Sequence, residues 1–436
     1  MTTLVKFPDV AEVAASTPAD RDRVLDVIRI TSLVGVVLGH TVMAASIIRN
    51  HVLIWDNLLT TSVLFQAMTW LLQIMPLFFF AGVAASAGGY HAPWGGWLLK
   101  RCTRLYRPVF YYLGFWAVAL TVLHGVLPVH VYEPIAGISI QLLWFLGAYV
   151  LVLAAVPLLI KVTTPGALIA AVTALYALIA VVDAIRVIDP GRGWLGYANL
   201  LAWLIPCIFG VAYRRQLLST SGAAVLGFAM LAVNLGLLRF GPYELSLVGI
   251  EGQQLKNMTP PSLLLAGHAI MMCAFAIALA PAIRRWAARP RVWWLTVIGN
   301  SGAMTLYLWH IPALLGMHLV FDLIGLPRYP GQPHFLALSL VQLAVMAVLV
   351  AALFLALRPL ENNPLPLWDG GTVQQSGPRS AAVGVALTIA GAATLASVGW
   401  GLKDQGIYFV ALMLVALITA RRLARPARSR RQLRMR

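Results

Sequence analysis

The chain has 436 residues, of which 60% are hydrophobic and 11% charged, with a formal net charge of +17. A mean hydropathy of +0.82 excludes an ordinary soluble globular domain and marks a membrane protein. The charge excludes little by itself. The basic residues lie between apolar stretches and at the C-terminus, where they set topology, so no nucleic-acid partner is expected.

Residues 1–26 are polar and mixed in charge, lack a small-residue cleavage site and run straight into an apolar stretch. The first span is therefore expected to stay in the mature protein, behind a cytoplasmic N-terminal segment. Apolar runs long enough to cross ~30 Å of hydrocarbon predict spans near 27–46, 64–87, 109–127, 138–160, 166–183, 194–213, 222–240, 262–283, 297–320 and 335–357. A Pro-, Gly- and Asn-containing linker, 358–380, precedes two more apolar runs near 381–402 and 406–420, the last short for a span. A basic tail, 421–436, follows. The expected fold is all-α: a polytopic transmembrane helical bundle with a ten-helix core over 27–357 and two additional transmembrane or re-entrant helices over 381–420.

Orientation follows from the basic residues, because loops rich in Lys and Arg resist translocation. The N-terminal segment, the even-numbered loops and the tail hold 25 of them, and the odd-numbered loops hold seven. Both termini are therefore expected in the cytoplasm. The three cysteines, Cys102, Cys207 and Cys273, show no paired spacing suited to zinc or redox chemistry, and no metal is expected.

Span 1 reads LDVIRITSLVGVVLGHTVM. Arg29 and His40 stand eleven residues apart, so a helix sets them about 16 Å apart along its axis and only ~20° apart around it. Asp26 lies one turn below Arg29 on nearly the same side. Each basic residue alone fits a bland role, an anchor at the helix end or an interior hydrogen-bonder. Together on one face they point to function, since an intramembrane cation is costly and His exchanges protons near neutral pH.

Before the third span, LLKRCTRLYRP carries Lys100, Arg101, Arg104 and Arg107. Positive-inside anchoring explains these residues. Phosphate binding is the functional alternative, because Lys100 and Arg104 project together if the segment is helical. In the ninth span, IGNSGAMTLYLWHIPAL, Tyr307 and His310 form an i, i+3 pair that belongs either to an interfacial belt or to an outer-half site shared with His40. Pro76, in MPLFFFAG, is expected to bend the second span.

Taken in order, RDRVLDVIRITSLVGVVLGH, MPLFFFAG, KRCTRLYRP, LLWFL and SGAMTLYLWH resemble the acyltransferase 3 family of bacterial integral-membrane O-acyltransferases, over roughly residues 20–357. The family's most specific signature, Arg, ten residues, then His, falls on Arg29 and His40. The resemblance implies a multi-pass enzyme of the bacterial inner membrane. It would transfer an acyl group, often acetyl from acetyl-CoA, to a hydroxyl of an envelope glycan or glycolipid. It further implies that His40 is catalytic with Arg29 as partner, and that Lys100, Arg101 and Arg104, with the neighbouring Arg107, contact the donor's phosphates. His310, with Tyr307, is a weaker carry-over. Ala81 stands before Gly82 where many relatives have Ser-Gly, so no role for that hydroxyl transfers. The alternative is a secondary transporter or flippase for a lipid-linked or small polar substrate, since polar residues within spans also line substrate paths.

Overall fold

The computed structural model describes residues 7–250, 253 and 255–426. The first six residues of the N-terminal segment and tail residues 427–436 lie outside the described residues. Among the described residues, twelve helical segments are long and apolar enough to cross a membrane. Spans 1 to 6 are Arg23–Met43, Val63–Ala87, Trp94–Val126, Val129–Leu159, Pro165–Ile188 and Pro190–Arg214. Spans 7 to 12 are Thr220–Phe240, Leu263–Ala287, Ala303–Leu323, Phe335–Asn362, Pro378–Ser397 and Asp404–Leu423. The all-α polytopic fold is as the apolar pattern predicts.

Several spans begin where the sequence supplies a cap for otherwise unpaired amides. Asp22, Thr164, Ser219 and Ser262 accept the amides of Val24, Ala167, Gly222 and Leu265. Other boundaries differ from the apolar runs. Span 1 ends at Met43, where Ala44 turns extended, and the chain enters a two-stranded sheet of β1 (Ala44–Arg49) and β2 (Val52–Asn57). Their two-residue connection, Asn50 and His51, has φ of 50° and 60°, the left-handed geometry of a tight hairpin. Span 3 starts at Trp94, so the basic segment 100–107 lies on the helix itself. Spans 2, 4 and 6 are interrupted. Span 2 consists of the helices Val63–Leu72 and Met75–Ala87. Pro76 does not bend this span but sits in the first turn of its second helix, where a missing amide costs nothing.

The chain divides into two compact units. The first comprises residues 1–45, 56–89 and 158–303, with spans 1, 2 and 5 to 8 and the helix Pro290–Asn300. Its second span-2 helix packs against span 6 so closely that a Cβ at Gly210 would stand 2.5 Å from the Phe80 carbonyl oxygen. Buried Asp183 ties spans 5, 6 and 8 together, accepting from Arg186 (3.0 Å), Asn199 Nδ2 (2.8 Å) and the Leu263 amide (2.7 Å). The Tyr243 hydroxyl also donates to it. Burial pushes that phenol upward, so it keeps its proton.

The second unit comprises residues 46–55, 90–157 and 304–436. The two C-terminal spans pack inside it rather than beside it. A Cβ at Gly147 on span 4 would stand 2.6 Å from the Leu395 amide on span 11, and Tyr106 on span 3 bonds Thr394 at 3.0 Å. Residues of the 358–380 linker are also engaged, with Trp368 Nε1 donating to the Thr103 carbonyl at 2.8 Å. Glu361 caps span 9 from a distance, accepting the Thr305 amide and hydroxyl at 2.9 and 3.0 Å. That cap explains why span 9 starts at Ala303 and leaves Ser301 and Gly302 in a turn.

Candidate functional site

Arg29 and His40 belong to the first unit; Lys100, Arg101, Arg104, Arg107, Tyr307 and His310 belong to the second. Span 1 is one uninterrupted helix between Arg29 and His40, both half-buried. The face between them is closed by buried Leu33 and Val36. Asp26 is not the partner of Arg29. Arg21 takes it in a two-point ion pair, Nε to Oδ2 at 2.6 Å and Nη2 to Oδ1 at 3.0 Å, which holds the Arg21 guanidinium above its ordinary range. Arg29 therefore makes no ion pair or hydrogen bond among the described residues.

The interruption of span 2 lies against this helix. A Cβ at Gly35 would collide with the Ile74 side chain, and one at Gly39 would stand 3.7 Å from Leu72 Cβ. Ile74 and Met75 are buried, their amides have no hydrogen-bond partner among the described residues, and no side chain caps the helix that starts there. On the same face of span 1 as Gly35 and Gly39, the hydroxyl of buried Ser32 also lacks a partner. His268 Nε2 contacts the Gln73 carbonyl freed by the interruption, at 3.2 Å. Neither Ser32 nor the two amides stood out in the sequence, where a single polar residue, Gln73, marks the break.

In the second unit, Lys100 and Arg104 are exposed, lie four apart on span 3 and have no partner among the described residues. Arg101 instead stacks on the Trp97 ring, 3.9 Å from its centroid. Arg107 is buried and fully occupied. Its guanidinium grips both carboxylate oxygens of Asp369 and donates to the carbonyls of Glu361 (2.8 Å) and Asn362 (3.3 Å). Tyr307 and His310 are both buried, with ring centroids 6.4 Å apart. The Tyr307 hydroxyl donates to the Leu142 carbonyl at the interruption of span 4, and His310 Nδ1 lies 3.0 Å from the Leu306 carbonyl. A 660 Å³ groove runs between spans 3 and 12, apolar from Phe110 to Leu120 and ending at His124 and Tyr132. Among the described residues, no group of three or more His, Cys, Asp or Glu is placed to hold a metal ion.

Twelve apolar helical segments among the described residues define a multi-pass membrane protein, and its first span carries a half-buried guanidinium without an acid partner and an imidazole on one face. Residues 22–357 match the acyltransferase domain of the acyltransferase 3 family, so the chain belongs to that family and is a membrane acyltransferase. No curated protein and no solved structure matches the chain.

Proposed function

We propose that the chain transfers an acyl group, acetyl in the first instance, from cytoplasmic acyl-CoA to a hydroxyl of an envelope glycan or glycolipid. In this reading the enzyme sits in the bacterial inner membrane with both termini in the cytoplasm. The observation that supports it most is the Arg29 to His40 face, an unmatched cation and an imidazole at the family's spacing on one continuous helix. His40 acts in one of two ways. As a general base it takes the proton of the acceptor hydroxyl while that oxygen attacks the thioester carbon and the thiolate leaves. As a nucleophile it attacks the thioester carbon, expels the thiolate to form an acyl-imidazole, and passes the acyl group to the hydroxyl oxygen, whose proton the released imidazole takes. Arg29, about 16 Å along the helix from His40, lies out of reach of the reacting carbon and instead holds an anionic group of the donor.

Lys100 and Arg104, exposed and adjacent on one helix face, hold the donor's phosphates. Arg101 lends charge from its stack on Trp97, whereas Arg107 serves to fix the linker. Tyr307 positions the span 4 interruption rather than touching the donor, and His310 packs beside it.

The test uses membranes from a deletion strain complemented with the chain and given radiolabelled acetyl-CoA. Label is expected in the glycan or lipid fraction, and His40→Ala is expected to lower its incorporation by ~10²–10⁴-fold. Label recovered as acyl-enzyme in the absence of acceptor selects the covalent route. Interrupted spans, span 2 among them, are a feature a transporter would share. If the protein neither hydrolyses nor transfers from acetyl-CoA while His40→Ala still exports substrate, the transporter reading replaces this one.

A further inference from the structure

The second unit contains a polar cluster that the proposed chemistry leaves unused. Ser46, on β1, donates its hydroxyl proton to Asp322 Oδ2 at 2.7 Å and lies 2.8 Å from His318 Nδ1. Its amide donates to the Arg328 carbonyl at 3.0 Å. His318 and Asp322 are four residues apart on span 9 and so share a face. A hydroxyl has a single proton. With that proton on the carboxylate, Ser46 offers His318 a lone pair, and Nδ1 must carry the hydrogen that meets it. In the neutral ring Nε2 is then a bare acceptor.

That acceptor has no partner, and neither has Asp322 Oδ1, although both atoms are shut away from solvent. His318 itself is 1% exposed. Buried polar atoms are nearly always satisfied, so two unmatched acceptors in one cluster call for a ligand that donates. An anion does not fit, because a carboxylate oxygen and a lone pair both repel it. A cation does not fit either. Arg328 lies within electrostatic reach of His318 and, although burial lowers it to about 10, remains charged at neutral pH. Uncharged hydroxyl groups satisfy both acceptors. Half-exposed Trp55, on β2, stands edge-on to the His318 ring at 5.2 Å and adds an aromatic surface of the kind that covers sugar C–H groups.

We infer that Ser46, His318 and Asp322 form a subsite for a sugar or similar polyol, with one hydroxyl donating to His318 Nε2 and a second to Asp322 Oδ1. Taken with the acyl-transfer reading, on which this part rests, the polyol is the head of the acceptor. Because the two atoms are shielded, the ligand enters when the β1–β2 hairpin lifts, and Ser46 is the latch that returns it.

The experiment carbethoxylates the full-length protein in nanodiscs with diethyl pyrocarbonate, whose carbonyl carbon is attacked by unprotonated imidazole nitrogen, and follows the His318 peptide by mass spectrometry. Decyl glucoside, decyltrimethylammonium and decyl phosphate, equal in tail and different in head, are added separately. At about twice its dissociation constant, decyl glucoside is expected to slow His318 modification about threefold, while the other two leave it unchanged. Equal protection by all three, or none by the glucoside, overturns the subsite and leaves a water-filled latch. If His318 is unreactive both in the parent and in Trp55→Ala, the site does not open and the inference fails. The measurement needs no turnover, so a failed His40 test refutes the acyl-transfer reading without touching this result.

Discussion

Arg29 carries its charge within a span without an acidic neighbour to offset it, a placement that costs at least ~2.5 kcal/mol. Arg21 has claimed Asp26, so the Arg29 guanidinium is available to an incoming anion. Arg29→Ala is therefore expected to remove acyl transfer while the amount of folded protein, read by size-exclusion chromatography in detergent, stays the same. A Lys100→Ala, Arg104→Ala double variant should raise the donor KM by at least ~10-fold with kcat little changed, since each charge-assisted phosphate contact contributes ~1.5–3 kcal/mol. Arg107→Ala should behave differently. It strips the half-buried Asp369 carboxylate of its charged partner, a loss of ~1.5–3 kcal/mol that appears as lost folded protein rather than altered kinetics. The Arg29 and His40 face was legible in the sequence because helical period alone fixes which residues share a side. The separation of Arg107 from its neighbours was not legible, because its partner Asp369 lies 262 residues away and only the folded chain brings it near.

At the scale of elements, the sequence announces spans but conceals their interruptions. The breaks in spans 2 and 4 carry only isolated polar residues, Gln73 in one and Ser139 and Gln141 in the other, and Pro76, read as a bend, instead opens a new helix. The second helix of span 2 is fixed by its contact with span 6. At Gly210 a methyl group would meet the Phe80 backbone, which cannot swing aside as a side chain can. Gly210→Ala is expected to destabilise by ~1–3 kcal/mol, seen as a lower thermal midpoint in detergent. Gly114→Ala and Gly125→Ala, on span 3 with nothing within 4 Å of the added methyl, supply the contrast. Relief of glycine's helix penalty should leave them as stable as the parent or more so, by up to ~1 kcal/mol.

Across the whole molecule, spans 11 and 12 are structural members of the second unit, span 11 in contact with spans 3 and 4 and span 12 packed on span 11. Truncation after Asn362 would remove the partners of Gly95, Tyr106, Arg107 and Gly147 together. Its expected outcome is loss of folded protein, not an active ten-span core, checked by recovery of a monodisperse peak in detergent. The two-unit division was not visible in the order of spans, since each unit draws on three separate stretches of chain. The same interleaving sets an order of assembly on the ribosome. All the segments of the first unit have emerged by residue 303, whereas Gly147 waits 248 residues for Leu395. At ~5–20 residues per second that wait is about 12–50 s. For that interval the glycine-lined side of span 4 faces lipid or an insertion chaperone, until span 11 arrives to cover it.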